Sequence, residues 1–231
     1  MTEPAVVTGW RVYRARRTEF LDPARVRRRT RVCGVVATAL GTVGVVAQLL
    51  WHSVLEAPLA LALVAIVAFA AAVGCLAATF LRTASTPDAS QPAALTGDWR
   101  RSERIGQQFG PRPPAMLPED RDLVHRQVEG SVGVGVVVFD RTRWLPVGWL
   151  IAWVGLLVVG EASTDHLVLL LLLPSVLALM QSSTAINALL GLARAEAARR
   201  RAEATPPYDP PPAAPTRNRD PRGSKLGLPD S

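Results

Sequence analysis

The sequence predicts an all-α integral membrane protein: four transmembrane helices in two hairpins, both termini cytoplasmic, a mostly irregular cytoplasmic loop and a disordered C-terminal tail. Three observations predict it. Of 231 residues, 49% are hydrophobic and only 6% aromatic, and the Ala, Val and Leu gather into long uncharged blocks instead of spreading through a mixed core. The first two blocks show no polar stripe at 3.6 spacing, as a soluble helix would. Every Lys and Arg lies outside the blocks, in three segments only.

The blocks set the spans at residues 32–51, 57–81, 144–163 and 167–190. At 1.5 Å per residue the first is about 30 Å long, one hydrocarbon thickness. The third has its uncharged part in residues 144–160 and is short, so it borrows the polar residues that follow or thins the bilayer. The three basic segments are residues 1–31, 82–143 and 194–231, with nine, nine and eight cations. The short connections between spans carry none. By the positive-inside rule the basic segments are cytoplasmic and both connections face outward. Arginine outnumbers lysine 25 to 1, with Lys225 the only lysine, a bias expected of GC-rich bacterial coding and hence of a bacterial cytoplasmic membrane.

The N-terminal segment ends in five arginines, Arg25, Arg27, Arg28, Arg29 and Arg31. Beside a span they are expected to touch anionic headgroups, at about 1 kcal/mol per basic residue near the surface. Arg199, Arg200 and Arg201, after the last span, are expected to do the same. No nucleic-acid-binding motif accompanies these runs, so no nucleic-acid partner is expected.

The first span carries Gly34, Ala37, Gly41 and Gly44, and the second Ala70, Gly74 and Ala78. Stripes of small residues let helix backbones approach closely, which matters where lipid supplies no hydrophobic drive between helices. The two cysteines, Cys33 and Cys75, lie within these spans and read as small apolar residues, not as a disulfide framework.

The loop 82–143 opens with a small, polar, Pro-containing linker. A short helix is predicted near 118–129, with Pro118 opening it, Glu119 and Asp120 suiting its positive end and Gly130 closing it. The Val- and Gly-rich stretch 130–139 is expected as a short strand or an interfacial apolar segment. Its glycines lack the Gly-Lys-Ser/Thr and strand–turn–helix frame of a phosphate loop.

The fourth span contains Pro174 and the polar run 181–184. Pro174 removes a backbone bond whose freed carbonyl Ser175 or a neighbouring helix can satisfy. Gln181 and Thr184 share a face and are expected to hydrogen-bond across to other helices, as glue. Residues 194–204 have strong helix propensity, with Glu196 four residues before Arg200, and are expected to extend the last span. Clustered prolines then end the helix, leaving residues 205–231 as a disordered tail.

Catalytic motifs are missing from the sequence, and no Asp, Glu, Lys, Arg or His lies in the uncharged blocks, where proton and ion pathways are usually marked. His52, Glu56, Glu161, Asp165 and His166 fall in the two outer connections, and imidazole with carboxylate suits zinc or copper. Tight polar turns explain them as well, so no metal or other cofactor is expected. The expectation is a non-enzymatic accessory or regulatory protein acting through its cytoplasmic arms on headgroups, a second copy of itself or another membrane protein. The alternative is an oligomeric pore or small-solute transporter built on the polar face of the fourth span.

Overall fold

A computed structural model describes residues 3–51, 55, 57–85, 99–160 and 167–209. Seven α-helices run through them: α1 (Ala5–Phe20), α2 (Pro23–Trp51), α3 (Leu59–Ala78), α4 (Trp99–Gln107), α5 (Arg121–Thr142), α6 (Trp144–Gly160) and α7 (Leu167–Ala204). A 3-10 turn, Pro118–Asp120, leads into α5. Among the described residues there is no strand, only one isolated antiparallel bridge between Leu21 and Ala84. Four stretches are long and apolar enough to cross a membrane: Pro23–Trp51, Leu59–Ala78, Pro118–Val159 and Leu172–Ala204. The described residues are therefore helices joined by turns and connections, and the four apolar stretches point to a membrane-embedded protein.

Small residues decide how the apolar helices meet. α2 and α3 lie antiparallel, with Gly44 over Ile66, Gly41 over Ala70 and Ala37 over Gly74. A Cβ added at Gly44 would fall 2.6 Å from Ile66 Cγ2, and one at Gly74 3.0 Å from Ala37 Cβ. α3 uses its opposite side for α6, where Gly155 meets Phe69 and Gly148 meets Leu76 and the Ala72 carbonyl. α6 in turn packs on α7. At the far end of α2, buried Gln48 accepts from the Leu55 backbone N–H at 3.0 Å and donates to the Leu55 carbonyl at 3.2 Å. It thereby satisfies both backbone groups of Leu55 in the connection after α2.

Length separates a second layer from the first. With 38 residues, α7 is about 57 Å long, close to twice the hydrocarbon thickness. Its second half lies against α5, joined at the end by Arg121 Nε donating to the Ala202 carbonyl. Val124, Val128, Val132 and Val136 of α5 face Leu189, Leu192, Ala195, Ala198 and Ala202 of α7, with Tyr13, Leu21 and Ile105 completing this core. The result is a helical body of α1, α4, α5 and the end of α7, standing on the arginine-rich end of the spans.

Here the structure corrects the expectation for residues 130–139, which are helical, as is the whole stretch from Arg121 to Thr142. Valine favours strands only where it packs well in one; four valines at spacing four make a helical stripe instead, and α7 covers it. Gly135 allows the approach, since a Cβ there would meet Leu192 Cδ2 at 2.8 Å. The loop is correspondingly less irregular than expected, with α4 and α5 both in it. Helix α5 passes into α6 with an interruption at Arg143 alone. Pro146 explains it, because it has no N–H to donate to the Thr142 carbonyl.

α7 runs to Ala204. Glu196 and Arg200 pair at 3.2 Å, and the helix stops just before Pro206 and Pro207. Residues 210–231 of the tail lie outside the described residues.

A buried carboxylate hub at the junction of spans and body

One side chain joins the two layers. Asp140, three residues before the α5–α6 interruption, is 1% exposed, receives hydrogen bonds from three other segments and forms an ion pair with Arg143 at the end of its own helix. Arg29 of α2 donates from Nη1 to Oδ2 at 2.7 Å and from Nη2 to Oδ1 at 3.4 Å. Tyr13 of α1 donates its hydroxyl to Oδ1 at 3.0 Å. Thr83, after α3, donates to Oδ2 at 3.1 Å. Arg143 closes the set with Nη2 3.0 Å from Oδ1.

Each partner is delivered by local structure. Tyr13 sits on the inner face of α1 because Gly9, one turn earlier, lets that helix lie directly on α7. A Cβ at Gly9 would overlap the Leu189 carbonyl. Arg29 stands one and a half turns into α2, whose start is anchored by the Asp22 backbone N–H donating to the Thr83 carbonyl at 3.0 Å. That bond and the Leu21–Ala84 bridge hold Thr83 in place. Arg141, beside Asp140, reaches back to the Thr79 carbonyl at 2.6 Å and ties the end of α3 to the same level.

Aromatic rings enclose the hub. Tyr13 and Phe139 meet edge to face at 4.7 Å, and Trp10 lies 5.4 Å from Tyr13 and 5.9 Å from Phe139. The guanidinium groups of Arg29 and Arg143 both lie over Trp144, at 5.7 and 5.2 Å. Burial, followed by the negative charge of Asp140, pushes the Tyr13 hydroxyl up to about 12, so it remains a donor at neutral pH. Chemically the arrangement is a buried ion pair whose carboxylate oxygens are both engaged, while Arg143 Nε and Trp144 Nε1 beside it are buried with no hydrogen-bond partner among the described residues. It orders four chain segments around one point, since removing one partner of a buried pair costs far more than an exposed pair contributes.

The sequence-predicted residues divide around this centre. Arg25, Arg27, Arg28 and Arg31 are exposed, but Arg29 is 3% exposed and turned inward. It is not a headgroup contact, because Asp140 neutralises it. Arg199 is taken by Glu196 and Glu203, Arg200 by Glu196, and Arg201 by the Gln108 carbonyl. Arg200 remains exposed, and Arg199 and Arg201 are half-buried. Ala37, Gly41, Gly44, Ala70 and Gly74 do meet, and Ala78 is buried, whereas Gly34 is exposed with nothing within 4 Å of an added Cβ.

Gln181 is half-buried and Thr184 exposed. Among the described residues no hydrogen bond joins either to another helix. Their neighbours Ser182 and Ser183 bond carbonyls of α7 itself, at Ala178 and Met180, as does Ser175 at Leu172. His52, Glu56, Glu161, Asp165 and His166 lie outside the described residues. Among the described ones no group of three His, Cys, Asp or Glu is placed to hold a metal ion, and Cys33 and Cys75 are free thiols.

Asp140 itself is the residue sequence reasoning missed. Its only local signal is an acidic residue between a valine-rich helix and two arginines. A groove of about 560 Å³ also opens between the start of α1, residues 110–113 and the end of α7, lined by Glu3, Thr8, Arg194, Glu196 and Arg200 among others. Compared with known protein families, curated proteins and solved structures, the chain matches none.

Proposed function

We propose that this is a non-enzymatic accessory or regulatory protein of a bacterial cytoplasmic membrane, which engages a membrane-protein partner or a second copy of itself through its helical body. It sits as two hairpins with both termini cytoplasmic. The arginine partition supports this orientation, because the helical body then stands in the cytoplasm. One observation carries the reading: a folded body with its own core projects from the spans and is fastened to them by the Asp140 hub. A partner that shifts the body therefore shifts the spans. The groove beside α7, with Arg194 and Arg200 on its wall, supplies a surface of mixed charge for such a contact.

Co-purification from gently solubilised membranes tests it. A partner retained by the parent and lost with Arg194→Glu plus Arg200→Glu supports the reading, and liposomes containing the purified protein should stay impermeable to small solutes. A second reading, an oligomeric pore, draws on exposed Ser183, Thr184 and Asn187 on α7. A solute flux lost on replacing Gln181 and Thr184 by leucine would establish the pore reading and displace the first.

A further inference from the structure

Helix α1 has a second face that no other part of the described chain covers. Val6, Val7 and Trp10 are 39%, 48% and 44% exposed, and Arg14 and Arg17 beside them are exposed too. Two contacts fix how this helix is rotated. Tyr13 points to Asp140, close to Trp144 where α6 begins. Arg16 points to Glu129, at 2.7 Å, which lies eleven residues earlier on α5 and so about 16 Å farther from the span. One edge of α1 thus faces the membrane and the other faces away.

Residues 6, 10, 13 and 17 follow one another at spacing 4-3-4, which places them on the membrane-facing edge with Tyr13. Residues 8, 12, 16 and 19 form the other edge. The membrane-facing edge is apolar and aromatic at its beginning, with Val6 and Trp10, and basic at its end, with Arg17 and neighbouring Arg14. The far edge carries Thr8 and Glu19. Gly9 against Leu189 and Tyr13 against Asp140 hold α1 across α7 and α5 at the level where the spans emerge.

We infer that α1 is an interfacial helix: its Val6–Trp10 edge seats at the boundary of headgroups and acyl chains, and Arg14 and Arg17 contact anionic headgroups. Trp prefers that zone because its ring is apolar while its N–H is polar. Valine and tryptophan in line with arginine on one helix are the composition of helices that lie in a membrane surface. The occupant of the exposed face is the same bilayer that holds the spans. This requires the membrane embedding but not the accessory role, so each can fail without the other.

Spin labels test the inference. In a Cys33→Ala, Cys75→Ala background, single cysteines replace Val6, Trp10, Arg11 and Ala15, all exposed, and the full chain is reconstituted in vesicles of phosphatidylethanolamine and phosphatidylglycerol. Labels at Val6 and Trp10 should collide several-fold more with oxygen than with a water-soluble nickel chelate, and labels at Arg11 and Ala15 the reverse. Equal access of the chelate to all four overturns the inference. So does shielding of Val6 and Trp10 from both reagents, which assigns the face to a protein neighbour.

Discussion

Arg29 and Asp140 are 111 positions apart in the chain and meet at 2.7 Å, each about 98% removed from solvent at the side chain. Two charges at that depth are stable only together, since each alone would keep the full cost of leaving water. Asp140→Asn should therefore lower stability by about 3–5 kcal/mol, the range for breaking a buried pair from one side. Arg29→Met combined with Asp140→Leu should recover much of that loss. Thermal aggregation in detergent of Asp140→Asn, and of Arg29→Met and Asp140→Leu singly and together as a double-mutant cycle, measures both, and a single-variant loss below about 1 kcal/mol would contradict the hub's role.

Gly44→Leu forces bulk into a contact where a single Cβ already meets Ile66 at 2.6 Å. The expected cost is about 1–3 kcal/mol, from overpacking. Gly34→Leu, on the same helix with nothing nearby, should change the melting temperature little. Equal melting of the two variants would separate the α2–α3 contact from the stability of the protein.

Gln181→Leu with Thr184→Leu should leave stability within about 0.5 kcal/mol of the parent, as for exposed positions away from special contacts. Spacing alone suggests that both residues act as glue, whereas Thr184 is exposed, Gln181 is half-buried and no hydrogen bond joins either to another helix among the described residues. A loss above about 1 kcal/mol would restore the glue reading.

The chain has two tyrosines, Tyr13 in the hub and exposed Tyr208. Titration followed by tyrosinate absorbance should show one of them ionising only near pH 12, and Tyr13→Phe should remove that step. Raising a folded-state value favours the protonated form, so the stability it contributes is full below about pH 10 and is lost as pH rises through 10 to 12. An unfolding free energy flat across that window would contradict the placement of Tyr13.

Reporter fusions after Val54 and Ser163 should read as external, and fusions after Pro92 and Pro215 as cytoplasmic. A cytoplasmic signal at either short connection would break the two-hairpin arrangement.

The spans were legible because hydropathy is a local property, and so was the α2–α3 contact, because small residues at spacing 3-4 mark a stripe whatever they face. Gly34 fell off that stripe by rotation about the helix axis, since α3 is still close at its level, where a Cβ on Gly74 would lie 3.1 Å from the Cys33 carbonyl. The helix over 130–139 was legible in the spacing of Val124, Val128, Val132 and Val136, but β-branched composition argued the other way, and only the cover provided by α7 decides between them. The hub was not legible. Arg29 has the same sequence surroundings as Arg27, Arg28 and Arg31, and nothing local says which of four neighbouring arginines will find a carboxylate 111 residues away.

Gly9 on Leu189 has a consequence for synthesis. Helix α1 leaves the ribosome long before its binding surfaces exist, and Tyr13 waits 127 residues for Asp140. At about 5–20 residues per second this delay is roughly 6–25 s, and docking on α7 comes later still. During that interval Val6, Val7, Trp10 and Tyr13 are all uncovered, and the bilayer surface is the nearest apolar phase. Helix α1 is thus made well before its seat exists, so a variant that slows insertion of α6 or α7 prolongs the exposure of α1 to proteases.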